Sequence, residues 1–196
     1  AIAPLVGGWW GVAAVLISLA AGYGATYVLY RMLRGRIGGS AAIWASAFFA
    51  AGPLAALFQV GYAEALFLLW LFLALWAVTA RRFVWVYPLV VLMGYTRPGV
   101  LAFALFIGLF GIWRFFSRRA EPLRVREVIH IVALGALATA VGFSWQIIAA
   151  IVTGDPGAYL ATELAWRRNW LPDDAGHFLP FDAFVRGAAF WGEVWG

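Results

Sequence analysis

Two charged side chains stand where an apolar sequence has little room for them. Glu64 is the single charge in "FQVGYAEALFLLWLFLALWAV" (Phe58 to Val78), and Arg97 interrupts "MGYTRPGV" between two further apolar runs. An ionisable group in a membrane-length run marks, by default, a site facing a water-filled cavity. The alternative for Glu64 is a hydrated carboxylate at the headgroup level. The run from Phe83 to Thr96 has only 14 residues, about 21 Å of helix at ~1.5 Å per residue. The hydrocarbon core is ~30 Å thick. Arg97, closing so short a run, is expected below the headgroups, where a guanidinium needs an anion. Glu64 or a phosphate would serve, since either fits its bidentate fork. Snorkelling towards water is the structural alternative.

The elements that must position this pair are set by composition. Of 196 residues, 65% are hydrophobic and only 12% charged, which excludes a soluble domain, whose chain is nearer half apolar and a quarter charged. Six apolar runs follow, roughly Leu5–Tyr30, Ala41–Leu57, Tyr62–Ala80, Phe83–Thr96, Gly99–Phe116 and Val128–Val152. They lack the alternation of barrel strands, and in lipid each backbone amide must be paired within its own helix or a closed barrel. The expected fold is therefore an all-α, polytopic transmembrane helical bundle of about six spans. Residues 1–152 form the bundle, 153–183 an extracytoplasmic segment, and 184–196 an interfacial segment or the start of a further span.

The basic excess is all arginine. If the runs alternate, Arg31, Arg34, Arg36, Arg81, Arg82, Arg114, Arg118, Arg119, Arg124 and Arg126 fall on one side. Arg97, Arg167, Arg168 and Arg186 fall on the other. The richer side is expected to be cytoplasmic. The cluster "RFFSRRAEPLRVRE" could contact anionic lipids, although orientation alone accounts for it. The distribution speaks for membrane topology and against a nucleic-acid partner. There is no cysteine, hence no disulfide or thiolate site, and no phosphate-cradling or dinucleotide motif.

The outer segment opens on Asp155-Pro156, a cap followed by a first-turn proline. A helix from about Pro156 to Arg168, lying on the membrane surface, would align Tyr159, Glu163 and Trp166. "DDAGH" offers Asp173, Asp174 and His177 to a divalent metal, a weak signal that exposed polar residues explain as well. His130 reads as a helix-start residue. Neither "AIAPLVGG" nor "WGEVWG" reads as a natural terminus, so the chain is expected to be part of a longer one.

Three stretches carry a resemblance. "FFAAGPLAALFQVGYAEALFLLWLFLALW" contains a proline turn followed by Tyr62-Ala63-Glu64-Ala65-Leu66-Phe67; "GYTRPGVL" contains a Thr-Arg turn; "TGDPGAYLATELAWRRNW" contains Gly-Asp-Pro and then Trp-Arg. In order and spacing these resemble the bacterial type of the PIG-V-like mannosyltransferases, in the GT-C superfamily of membrane glycosyltransferases, over roughly Pro4 to Trp170. The resemblance implies transfer of a sugar, mannose in the first instance, from a polyprenyl-phosphate donor to a lipid or glycan acceptor on the outer face of a plasma membrane. It implies a catalytic acid in a loop upstream of Ala1. Glu64, Arg97, Tyr62, Asp155 and Trp166 are then the candidate substrate-binding residues, and no cofactor is required with certainty. The arginine-only, Ala/Gly-rich usage points to a high-GC bacterium. A structural or transport subunit without catalytic activity is the competing expectation.

Overall fold

A computed structural model describes residues 7–168 and 182–195. The chain divides into two compact units, residues 1–145 and 146–196, each taken by itself below.

In the first unit every expected apolar run is helical. Helix α1 (Trp10–Ile37) starts later than the run and continues through "RMLRGR". Arg34 and Arg36 in its last turn meet the partial negative charge of the helix C-terminus. Gly38, at φ 83°, then turns the chain, a left-handed conformation that glycine adopts without steric cost. The second run is not one helix. Helix α2 (Gly39–Ala51) stops at Gly52, and Pro53–Gln59 is a 3-10 stretch. Pro53 supplies no amide to the ladder and holds the residue before it extended, as Gly52 is, with ψ 168°.

Helix α3 (Glu64–Thr79) follows, then a 3-10 turn (Phe83–Trp85), α4 (Val86–Thr96), α5 (Val100–Ser117) and α6 (Val125–Thr153), which runs on into the second unit. Helices α1, α5 and α6 are long and apolar enough to cross a membrane; α2, α3 and the stretch Phe83–Thr96 are as apolar but shorter. The protein is an all-α helical bundle with membrane-spanning character, and among the described residues there is no strand.

Helix α1 lies against α2 and α3 through small residues: Ala13, Ser18, Ala21, Gly22 and Ala25 on α1, Ala42 and Ser46 on α2, and Ala65 on α3. Between helices in lipid there is no gain from removing apolar surface from water, so close backbone approach and van der Waals contact must hold them. Helices α3 to α6 share a core of larger side chains, with Val78, Val86, Val90, Met93, Val100, Phe103, Ile107 and Leu134. Large apolar side chains such as Trp44, Leu105, Phe116 and Val132 point outward, as hydrocarbon surroundings allow.

The second unit holds the end of α6, then α7 (Ala158–Arg168) and α8 (Asp182–Trp195). Asp155 caps as its sequence suggests: its Oδ1 accepts the Gly157 N–H at 2.7 Å. The regular ladder begins at Ala158, slightly later than Pro156. Tyr159 and Glu163 lie one turn apart on α7. Partial burial, and then the neighbouring Glu163 carboxylate, raise the Tyr159 pKa above its ordinary value.

Candidate functional site

Glu64 and Arg97 meet. Arg97 donates through Nη1 to Glu64 Oε1 in an ion pair across α3 and α4. Local sequence places both. Glu64 is the first residue of α3, where the helix N-terminus favours a carboxylate. Arg97 is the C-cap of α4 with φ −157° and ψ 144°, the extended backbone that a following proline imposes. As a cation at a helix C-terminus it is equally well placed.

Close packing fixes the two turns. A Cβ on Gly61 would lie 2.6 Å from the Ala14 Cβ, and one on Gly94 would lie 2.2 Å from the Val141 Cγ1. Neither approach leaves room for a side chain. The Trp145 indole N–H donates to the Gly94 carbonyl at 2.8 Å, tying the end of α4 to α6.

Both charges line a cavity of about 960 Å³. Its character differs from the hydrophilic chamber that two charges suggest. Its wall is almost entirely apolar, with Phe48, Phe49, Phe67, Leu71, Phe103 and Phe106 among its residues, and the Arg97–Glu64 pair is its polar end. From Glu64 to Leu75 the cavity follows α3 for about 16 Å at ~1.5 Å per residue. The Arg97 side chain is 48% exposed and that of Glu64 26%, so the arginine is less buried than the shortness of its run implies. Among the described residues Arg97 donates to Glu64 alone, which leaves guanidinium donors unused. The arrangement can accept an anionic head beside Arg97 and an apolar chain along the phenylalanines.

Tyr62 lies on the turn before α3, 60% exposed, and does not line the cavity. Asp155 and Trp166 belong to the second unit; Asp155 is a helix cap, and Trp166 lies within α7 with its side chain outside the described residues. Asp173, Asp174 and His177 also lie outside the described residues.

A second charged centre was not legible as one in the sequence. Arg114, in the last turn of α5, is completely buried. Its Nε donates to Glu127 Oε1 at 2.7 Å and its Nη2 to Oε2 at 3.3 Å, while Nη1 reaches Glu121 Oε2 at 3.0 Å. Arg81 joins from the end of α3, pairing with Glu121 at 3.1 Å and with Glu127. Burial, then the neighbouring Arg114 charge, lowers the Arg81 pKa, and Glu121 works against both.

Arg81 holds its place in a left-handed conformation, φ 58°, the one non-glycine residue with positive φ among those described. Its N–H donates to the Val78 carbonyl at 3.0 Å and the Arg82 N–H to the Ala77 carbonyl at 2.8 Å, the Schellman ending that usually takes glycine. Arg114 sits inside the fifth apolar run, and by the rule that flagged Glu64 it carried the same signal. His130 is well inside α6, stacked on Phe83 with 5.6 Å between ring centroids and 3.0 Å from the Tyr87 hydroxyl through Nδ1.

No family model, curated protein or solved structure matches this chain.

Proposed function

We propose that the protein is an integral-membrane glycosyltransferase of the GT-C type, transferring a sugar, mannose in the first instance, from a polyprenyl-phosphate donor on the outer face of a bacterial plasma membrane. The observation that carries this reading is the cavity's two-part character: an apolar channel of phenylalanines and leucines ending at a half-exposed arginine. A polyprenyl phosphate has the same two parts. The motifs around Glu64, Arg97 and Asp155 add the resemblance to PIG-V-like enzymes.

In the reaction an acceptor hydroxyl attacks the anomeric carbon, and the bond from that carbon to the phosphate oxygen breaks. Its electron pair leaves with the lipid phosphate, and a carboxylate takes the hydroxyl proton. That carboxylate is assigned to the loop upstream of Ala1 that the family uses. Arg97 stabilises the charge gathering on the phosphate. Glu64 orients the guanidinium or receives a sugar hydroxyl.

A structural reading rests on the same pair, because each partner complements the dipole of its own helix. The two separate on Arg97→Lys. Lysine keeps the charge but loses the fork, so transfer from polyprenyl-phosphate mannose by the full-length protein in membranes should fall while the amount of folded protein holds. Full activity in Arg97→Ala would refute the catalytic reading. For the assigned face, an impermeant thiol reagent should label Tyr62→Cys and spare Ser117→Cys in intact cells.

A further inference from the structure

The arginine-rich end carries a concavity of its own, about 750 Å³, between the turn that enters α4 and the turn that enters α6. Arg81, Arg82, Arg124, Arg126, Glu121 and Glu127 supply its charges. The two glutamates are committed to Arg81 and Arg114. This leaves Arg82, Arg124 and Arg126, all exposed and, among the described residues, without an ion-pair partner. His130 also faces this space, but its ring is engaged by Phe83 and Tyr87.

Val84 and Trp85 border the same concavity, 69% and 67% exposed. Two bare apolar side chains beside three uncompensated cations are poor company in water. They suit the level at which a bilayer changes from headgroup to acyl chain, where tryptophan gathers and basic pockets between helices hold phosphate headgroups. The helices place the concavity at that level, since it lies where the apolar segments Phe83–Thr96 and Val125–Thr153 begin. The ion pairs that share this wall hold it together: the buried Arg114 ties α5 to α6, and Arg81 ties the end of α3 to both glutamates.

We propose that this concavity binds the headgroup of an anionic phospholipid, with Arg82, Arg124 and Arg126 on the phosphate and Val84 and Trp85 against the start of the acyl chains. The site is distinct from the Arg97 cavity and does not depend on sugar transfer. A free anion would use the arginines but leave the apolar border bare.

The test uses the full-length protein in nanodiscs of phosphatidylcholine with increasing phosphatidylglycerol, reading the thermal midpoint. Phosphatidylglycerol should raise the midpoint of the wild type, and no rise would overturn the proposal. In R82Q/R124Q/R126Q the phosphatidylglycerol needed for half the effect should increase, about fivefold for each arginine and on the order of 100-fold for the three. Should the triple variant be unstable in phosphatidylcholine alone, the single variants carry the test, each with its fivefold share. R118Q/R119Q removes charge from the same end but outside the concavity. A loss per arginine as large as that of the triple variant would assign the preference to general surface charge and overturn the site. Inorganic phosphate that stabilised the protein as well as phosphatidylglycerol would overturn the lipid assignment.

Discussion

The two ends of the helical unit use the same residue types to opposite effect. At one end Arg97 and Glu64 form a single pair between helix termini, half open to solvent, over an apolar cavity. At the other, Arg114 is buried completely and spends its Nε and both terminal nitrogens on Glu121 and Glu127, while Arg81 doubles the contact to each glutamate. Coulomb attraction is present in both. Burial and saturation separate them: a saturated, desolvated guanidinium has nothing left for a ligand, whereas a half-exposed one with unused donors does. The first is architecture, and the second is available for chemistry.

The largest expected effect tests the buried end. Arg114→Ala leaves Glu127 under-compensated and a gap in the wall, and should cost about 3–5 kcal/mol, measured by denaturant unfolding in detergent. A loss no greater than that of Arg97→Ala would erase the contrast. Arg97→Ala is expected to act on the other axis. Transfer should fall roughly 100-fold or more, as when one charge-stabilising donor is removed. The half-exposed pair itself should contribute no more than about 1 kcal/mol to stability. An Arg97→Ala protein that unfolds easily would make the outer pair architectural as well.

Gly94→Ala probes how the outer pair is held. Its methyl would overlap Val141, so a destabilisation of about 1–3 kcal/mol is expected, with lower transfer because the turn carrying Arg97 is displaced. Full stability with full activity would show that this contact does not position Arg97. The finest test compares Arg81→Gly with Arg81→Ala. Both lose the ion pairs, but glycine relieves the left-handed backbone at φ 58°. The glycine variant should be the more stable by about 1 kcal/mol; equal stabilities would mean that the conformation carries no strain.

Much of this could be read along the chain. The apolar runs gave the helices because nothing else satisfies a backbone in lipid. The proline turn at Pro53 and the Thr-Arg turn at Arg97 were marked in the sequence, as was the cap at Asp155. The second run misled because Ala41–Leu57 carries no charge, and only the Gly52-Pro53 pair within it tells that the α-ladder stops. Glu64 and Arg97 stood out as charges bracketing apolar helices, and helix alternation put them at one end. Their contact, and the phenylalanines around them, come from helices far apart in sequence, so no local pattern announced that the cavity between them is apolar.

What the sequence by itself determined is therefore what hydropathy, proline and helix length control: an all-α chain, its apolar segments, and the placing of Glu64 and Arg97 at one end of the first unit and of Arg81 and Arg114 at the other. Those properties belong to one segment at a time. Tertiary structure decided which charges touch. Arg114 and Arg97 both sit at the end of an apolar helix, and nothing within either helix says that one is sealed and the other open. The difference arises because the short turn from α5 to α6 folds Glu121 and Glu127 onto Arg114 while Arg81 closes over them. Around Arg97, among the described residues, only Glu64 arrives, and the neighbouring helices leave a cavity.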